Sequence, residues 1–291
     1  MLTMGSVRDN PQPFLKWVGG KRALLPQILP VVENWQVRNP TGRYFEPFVG
    51  AGAVLFNVDH RLKKFANDYN HELIGVYKVV KDDPKGLLKE LEKHRNESEY
   101  FYQVREWDRL PNWDKRNPIE VAARFIFLNK TCFNGLYREN RNGKFNVPFG
   151  NYKNPRILDV ENIMSVSRFL NSSPKTSLAS GDYRSCTVKA RNGDFVYFDP
   201  PYDPVSKTAS FTSYVGKGFE WEDQLALRDE AVRLVNSGIK VLLSNSNTNR
   251  IRKIYNDAGL FKIRSVDIHR GISSKNETRG IIKELLIESK F

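Results

Sequence analysis

Cysteine is scarce in this 291-residue chain: Cys132 and Cys186 stand far apart and in no Cys-x-x-Cys spacing. A disulfide framework or a thiolate zinc site is excluded as the organising element. The four histidines, His60, His71, His94 and His269, are scattered and form no His-x-x-x-His pair, so no metal centre is expected. Long apolar runs are missing too. No uncharged stretch approaches the roughly 18–20 residues that span a bilayer. Met1–Pro13 lacks the apolar core of a signal peptide. The expectation is an intracellular, cytoplasmic protein with no membrane partner. Two common phosphate-binding signatures are absent as well. Gly20-Lys21 has no glycine five residues before Gly20, and Arg22 stands where a Walker loop needs Ser or Thr. Acid is in deficit: 46 lysines and arginines face 33 aspartates and glutamates, a net charge of +13. That balance favours a polyanionic partner, because each cation set against a phosphate releases counterions.

What is present reads as an α/β protein with an interruption. A helical pattern follows Phe14–Lys21, with Leu24, Leu25, Ile28 and Leu29 on one side. Gly42–Glu46 predicts a short strand running into Pro47-Phe48-Val49-Gly50-Ala51-Gly52. The apolar Ala53–Phe56 predicts a buried helix, and Lys64–Asn67 a second strand ending at Asp68. This is the opening half of a nucleotide-binding sheet. From His71 to Asn117 the pattern is helical, charged and aromatic. Asn117-Pro118-Ile119-Glu120 then reads as a helix start, with Asn as cap and Pro in the first turn. Thr131–Pro155 is rich in turn signals, and Asn142-Gly143 predicts a hairpin. After Asp159 the α/β rhythm returns. Asp194–Phe198 is a strand, and Glu220–Asn236 is an amphipathic helix with Gly238 as its C-terminal stop. Ile239–Leu243 is a strand ending at Ser244-Asn245, and Ile263–His269 and Ile281–Glu288 are two last extended runs.

The glycine turn Gly50–Gly52 lets backbone approach a ligand at a strand end. It is no dinucleotide fingerprint, since the third glycine would fall on Leu55. Alone it reads better as an ordinary turn. Asp68, at the end of the next strand, suits a ribose hydroxyl pair or a helix N-cap. The decisive motif is Asp199-Pro200-Pro201-Tyr202. Two prolines cannot continue a central strand, so the chain must leave the sheet here. Asp199 and Tyr202 then stand at the carboxyl edge, where such sheets bind ligands. The residue types suit one reaction in particular. An exocyclic amino nitrogen is a poor nucleophile because its lone pair is delocalised into the base. The Asp199 carboxylate and the Pro200 carbonyl can accept its two N–H bonds and hold the lone pair out of the ring, while Tyr202 stacks on the base.

Taken in order, Phe14–Lys21, Glu46–Gly52, Asn67-Asp68, Phe145–Gly150, Asp199–Tyr202 and Ile272-Ser273-Ser274 closely resemble the Dam family of DNA adenine-N6 methyltransferases. The resemblance runs from Phe14 to about Leu286. It implies a class I methyltransferase fold: a Rossmann-like seven-stranded sheet with a mainly helical DNA-recognition insert carrying a β-hairpin. Residues 1–70 and 159–291 would form the catalytic domain and 71–158 the insert. It implies S-adenosyl-L-methionine as cofactor, bound by Trp17, Lys21, Phe48, Gly50, Gly52, Asp68 and Asp199, with Asp182 and Tyr183 near its adenine. It implies double-stranded DNA as partner, GATC as target and no obligate protein partner. Phe133, followed by Asn134, would enter the base stack where the adenine leaves it. Arg138 would read a guanine through O6 and N7, Leu136 and Pro148 a thymine methyl, and Lys16 the first guanine, with Asn140 assisting. The chain departs from the family at Thr131-Cys132-Phe133, where tyrosine is more usual, and at Asn151, where a basic residue is common.

Other readings stay open at this stage. The catalytic tetrad also suits transfer to cytosine N4 or to RNA, although its leading Asp fits adenine better. The absence of a Pro-Cys pair argues against cytosine-C5 chemistry. A DNA-binding module without catalysis would explain the charge but would leave the tetrad without a purpose.

Overall fold

The computed structural model describes residues 11–204, 219–269 and 281–291. Strands β1 (Tyr44–Glu46), β2 (Lys64–Asp68), β3 (Ser177–Ser180), β4 (Phe195–Phe198), β5 (Lys240–Ser246), β6 (Phe261–His269) and β7 (Ile281–Ser289) build one sheet in the order β3-β2-β1-β4-β5-β7-β6. Strands β1 to β5 pair in parallel, whereas β7 runs antiparallel between β5 and β6. This is the class I methyltransferase arrangement that the resemblance implies.

The central strand explains why the sheet is covered on both sides. All four residues of β4 are buried, as a parallel strand between two helical layers requires. Phe195 and Tyr197 point to one face and Val196 and Phe198 to the other. On the second face they meet α8 (Trp221–Asn236) through Leu227, Ala231 and Leu234, and α9 (Asn249–Asp257) through Ile251 and Tyr255. On the first face lies α1 (Leu25–Arg38), with Ile28, Val32 and Trp35 inward.

Between β2 and β3 the chain makes α2 (His71–Asp82), α3 (Pro84–Leu91), α4 (Ser98–Arg105), α5 (Pro118–Thr131) and α6 (Val160–Asn171). Helix α5 starts as the sequence predicts: the Asn117 side chain accepts the Ile119 N–H at 2.9 Å. It packs on α2, α3 and α4. Its one buried cation, Arg124, is satisfied by Asp108 at 2.9 Å and by the Val104 and Arg105 carbonyls. Such pairing is what makes a buried guanidinium tolerable. The core of these helices is continuous with that of the first sheet face.

Several expectations shift in detail. Of Ala53–Phe56, the last three residues are buried, but the segment forms only a single 3-10 turn at Leu55–Asn57, because Gly50 and Gly52, both at positive φ, hold the chain in turns up to that point. The hairpin exists in short form. Glu139 bridges Phe145, Cys132 bridges Phe149, and Gly143 takes the positive φ. Strand β5 continues through Ser246. Strand β3 and helix α9 had no distinct sequence signal. Ile272-Ser273-Ser274 lies outside the described residues. Among the described residues no helix is long and apolar enough to cross a membrane.

Candidate active site

Four parallel strands end at one edge, and each delivers a polar group there. β1 runs into Pro47–Gly52, β2 ends on Asp68, β3 leads to Gly181-Asp182, and β4 ends at Asp199. The turn after β1 is held tightly. Asp68 Oδ2 accepts the Gly50 N–H at 3.0 Å, and its Oδ1 accepts that of Asn70 at 3.0 Å. Tyr77 Oη donates to the Gly50 carbonyl at 3.0 Å. Glycine is required at both turn positions. Gly50 has φ 48°, and a Cβ there would stand 2.9 Å from Trp17 Cδ1. Gly52 has φ 74°, and its Cβ would stand 2.7 Å from Tyr77 Oη. Burial pushes the Asp68 carboxyl above its ordinary value, against the pull of its backbone donors.

Asp199 is the centre of a second cluster. Lys21, only 5% exposed, reaches across from the N-terminal segment and puts Nζ 2.9 Å from Asp199 Oδ1. The same ammonium lies 4.7 Å from the centroid of the Tyr202 ring and donates to the Gly19 carbonyl. Ser244 Oγ donates to Asp199 Oδ1 at 2.9 Å and pairs with Tyr197 Oη at 3.0 Å. Both anchors fall on Oδ1. Oδ2 and the Pro200 carbonyl take no hydrogen bond among the described residues. Burial pushes the Asp199 carboxyl upward, and Lys21 and Ser244 offset part of this. Tyr202 Oη donates to Glu284 Oε2 on β7 at 2.7 Å, which fixes the ring. Behind the tetrad, Glu46 is buried and accepts from Tyr44 Oη at 2.8 Å. Desolvation holds its carboxyl well above the usual range.

The remaining residues named for the cofactor surround this edge. Trp17 stacks on Tyr137 at 5.7 Å and on Phe125 at 6.4 Å. Phe48 lies between Tyr183, at 5.4 Å, and Phe198, at 6.2 Å. Asp182 caps α7 (Tyr183–Thr187) by accepting the Arg184 N–H at 2.8 Å, and half of its side chain is exposed. The Tyr183 hydroxyl is buried and has no hydrogen-bond partner among the described residues.

The residues named for DNA lie on an adjoining surface. Phe133 is 48% exposed. Its N–H is held by the Pro148 carbonyl at 2.9 Å, and Asn134 takes φ 55°. Arg138 is exposed, and its Nε donates to Asn146 Oδ1 at 2.8 Å, while its terminal nitrogens make no hydrogen bond among the described residues. Pro148 is exposed and Leu136 half-buried. Lys16 lies 4.0 Å over the Tyr152 ring. Asn140 turns inward: its Oδ1 accepts from Asn142 N–H at 2.9 Å and Lys144 N–H at 3.1 Å, so it shapes the hairpin tip. Burial pushes the thiols of Cys132 and Cys186 up to about 12, so neither is a nucleophile at neutral pH.

Sequence reasoning missed several contributors. Asn129 ties the two segments named for DNA together, bonding the Lys16 N–H at 2.8 Å, the Lys16 carbonyl at 2.8 Å and the Gly135 carbonyl at 3.2 Å. Ser244, Gln224 and Glu284 also escaped notice. Ser244 could have been found, since it lies at a strand's carboxyl end like Asp199. Glu284 is mid-strand and carries no local signal.

Known proteins resemble this chain over most of its length. The family model described as D12 class N6 adenine-specific DNA methyltransferase matches residues 17–272. A Type II methyltransferase of Lactococcus lactis subsp. cremoris is 42% identical over 280 residues, covering 96% of this chain and 95% of that protein. A Type II methyltransferase of Methanocaldococcus jannaschii is 41% identical over 290 residues, covering 95% and 98%. The DNA adenine methylase of Escherichia coli is 37% identical over 279 residues, covering 94% and 93%. With the match running from Trp17 through the Asp199–Tyr202 tetrad and over most of the chain, the protein belongs to the D12 class of N6 adenine-specific DNA methyltransferases.

Proposed function

We propose that this chain moves the methyl group of S-adenosylmethionine to N6 of an adenine turned out of duplex DNA, within GATC. The carrying observation is that Asp199 Oδ2 and the Pro200 carbonyl take no hydrogen bond from the described residues at the end of β4, while Oδ1 is anchored by Lys21 and Ser244.

The residues present fit the cofactor. Gly50 and Gly52 form a cradle that a Cβ could enter only by displacing Trp17 or Tyr77. Asp68 and Asp182 offer carboxylates for hydroxyl and amino groups, and the edge is rich in negative charge, which suits a sulfonium. When bound, S-adenosylmethionine supplies a methyl group on a positively charged sulfur. Trp17, Phe48, Gly50, Gly52, Asp68, Asp182 and Tyr183 would hold it.

The target base cannot be reached inside the helix and must be flipped, at a cost of a few kcal/mol. Exposed Phe133 fills the gap left in the stack. Tyr202, its ring fixed through Glu284, stacks on the extruded adenine. Asp199 Oδ2 and the Pro200 carbonyl accept the two amino protons, so the nitrogen lone pair points away from the ring. As N6 gains its new bond it must shed a proton, and Asp199 is the acceptor at hand. Burial has raised its affinity for that proton. Positioning and electrostatics supply most of the acceleration. Arg138, with Nε held by Asn146, presents two N–H groups to a guanine. The charge of +13 supplies phosphate affinity.

The test is transfer of labelled methyl to two duplexes that differ only in carrying GATC or GTTC. Label on the first alone, recovered as N6-methyladenine, is the expected result. Equal label on both, at other adenines, keeps the chemistry and discards GATC. No label on either, with DNA binding intact, overturns the reading.

A further inference from the structure

The tetrad poses a mechanical problem of its own. Its carbonyl and its ring must be placed accurately, yet Pro200 and Pro201 have no N–H to tie the loop to the sheet. The loop must be fastened from outside. The fastening is a chain of side-chain amides and hydroxyls on β5 and α8, all of it out of contact with the reacting groups.

Gln224, 1% exposed on α8, donates from Nε2 to the Pro201 carbonyl at 2.9 Å. Asn245, fully buried on β5, donates from Nδ2 to Gln224 Oε1 at 3.0 Å. Asn245 Oδ1 then accepts the Asp203 N–H at 3.2 Å and the Ser246 N–H at 2.8 Å. Ser246 Oγ donates to the Asp203 carbonyl at 2.6 Å. The Asp203 carboxylate, 2% exposed, is closed off by Arg250 and by Thr248 Oγ1 at 2.8 Å. Every link has a donor and an acceptor, and each amide uses both of its ends. Pro201 and Asp203 flank Tyr202, so the ring's two neighbours are clamped while the Pro200 carbonyl stays unengaged.

We infer that Gln224 and Asn245 are positioning residues for methyl transfer: the amide pair sets where the Pro200 carbonyl and the Tyr202 ring stand, and so sets the rate of the chemical step. This rests on the transfer reaction proposed above. An amide is needed at 224 because one end must give a proton to Pro201 while the other takes one from Asn245. Methionine has the size and neither function. Glutamate keeps the acceptor, and it regains a donor only when protonated. A carboxyl buried at this position is expected to hold its proton to higher pH than an exposed one.

The experiment is single-turnover methyl transfer by the full chain at saturating DNA and S-adenosylmethionine, counted per cofactor-binding site. Gln224→Met should slow transfer by about tenfold to a hundredfold, with the dissociation constants for DNA and cofactor within twofold of wild type. Gln224→Glu should be slow at pH 8 and recover toward wild type as the pH falls to 6, opposite to the acid-side loss of the wild type. Asn245→Asp, which loses the donor to Gln224 and keeps the acceptor for Asp203, should fall between. A rate per site within twofold of wild type in Gln224→Met, or a Gln224→Glu profile parallel to wild type, would overturn the inference. If Gln224→Met does not fold, the other two variants decide alone. Wild-type enzyme that transfers no label to adenine would instead sink the reaction itself, an outcome separate from any ratio between variants.

Discussion

The two halves of the site are built differently. At the sheet edge, Asp199, Ser244, Gln224 and Asn245 are held by partners that are themselves held, with Ser244, Gln224 and Asn245 at most 1% exposed. On the proposed recognition surface, Phe133 and Pro148 stand in solvent and Arg138 has one hydrogen-bond partner among the described residues, Asn146. The contrast follows from the tasks. An amino group must be met by acceptors fixed to a fraction of an ångström, and desolvation strengthens each contact. A DNA groove is wide and wet, and a long side chain can find a base edge with only its root fixed. The hairpin's backbone is accordingly well tied, through Gly150 N–H to the Thr131 carbonyl at 2.8 Å and Phe133 N–H to the Pro148 carbonyl at 2.9 Å, while its tips stay open.

The comparison breaks most sharply at Asp199. Replacing it with alanine should cost on the order of 10²–10³-fold in transfer rate or more, read in single-turnover assays with DNA affinity unchanged. Because burial raises its carboxyl, the acid limb of the rate profile should lie above that of an ordinary aspartate. Lys21→Met should move the limb higher still, since the cation at 2.9 Å favours the ionised form.

The recognition half has a rigid interior beneath its open surface, and His94 tests it. His94 stacks on Phe127 at 4.6 Å, and burial lowers its pKa from 6.5 to about 4. Between those values the unfolded chain binds the proton and the folded chain does not. Stability should therefore fall as pH drops through that window, by up to about 3 kcal/mol. Denaturant melts at several pH values should show this slope, and His94→Phe should flatten it.

Arg138→Ala should cost about 1–3 kcal/mol of discrimination at one guanine, measured as the rate ratio between GATC and a site changed at that base. An equal loss on all sequences would assign Arg138 to phosphate contact. Asn146→Ala should cost less of the same discrimination, about 0.5–1.5 kcal/mol, because it frees the guanidinium without removing it. A larger loss than Arg138→Ala itself would show that Asn146 touches DNA directly.

Much of this was legible along the chain because it is local. Asn117-Pro118 announced α5, and the paired prolines announced where β4 leaves the sheet. Gly50 and Gly52 announced a turn that no side chain could enter. Two details went unread although their causes lie within a few residues. The short 3-10 turn at Leu55–Asn57 replaced a helix because the preceding glycines fix the entry angle. Asn140, expected to assist at DNA, also shapes the hairpin tip, since its side-chain oxygen accepts from two backbone N–H groups there.

The sequence by itself determined most of the strands and helices, the two turns at the carboxyl edge and the tetrad proposed to carry the chemistry. Each of these depends on backbone freedom or side-chain type within a few residues. Only the tertiary structure decided that Lys21 meets Asp199, that Glu284 holds Tyr202, and that Gln224 and Asn245 clamp the proline loop. Those partners lie on elements distant in sequence. Their pairing is fixed by strand register and by the rule that a buried polar group must find a partner, and neither is written at any one position.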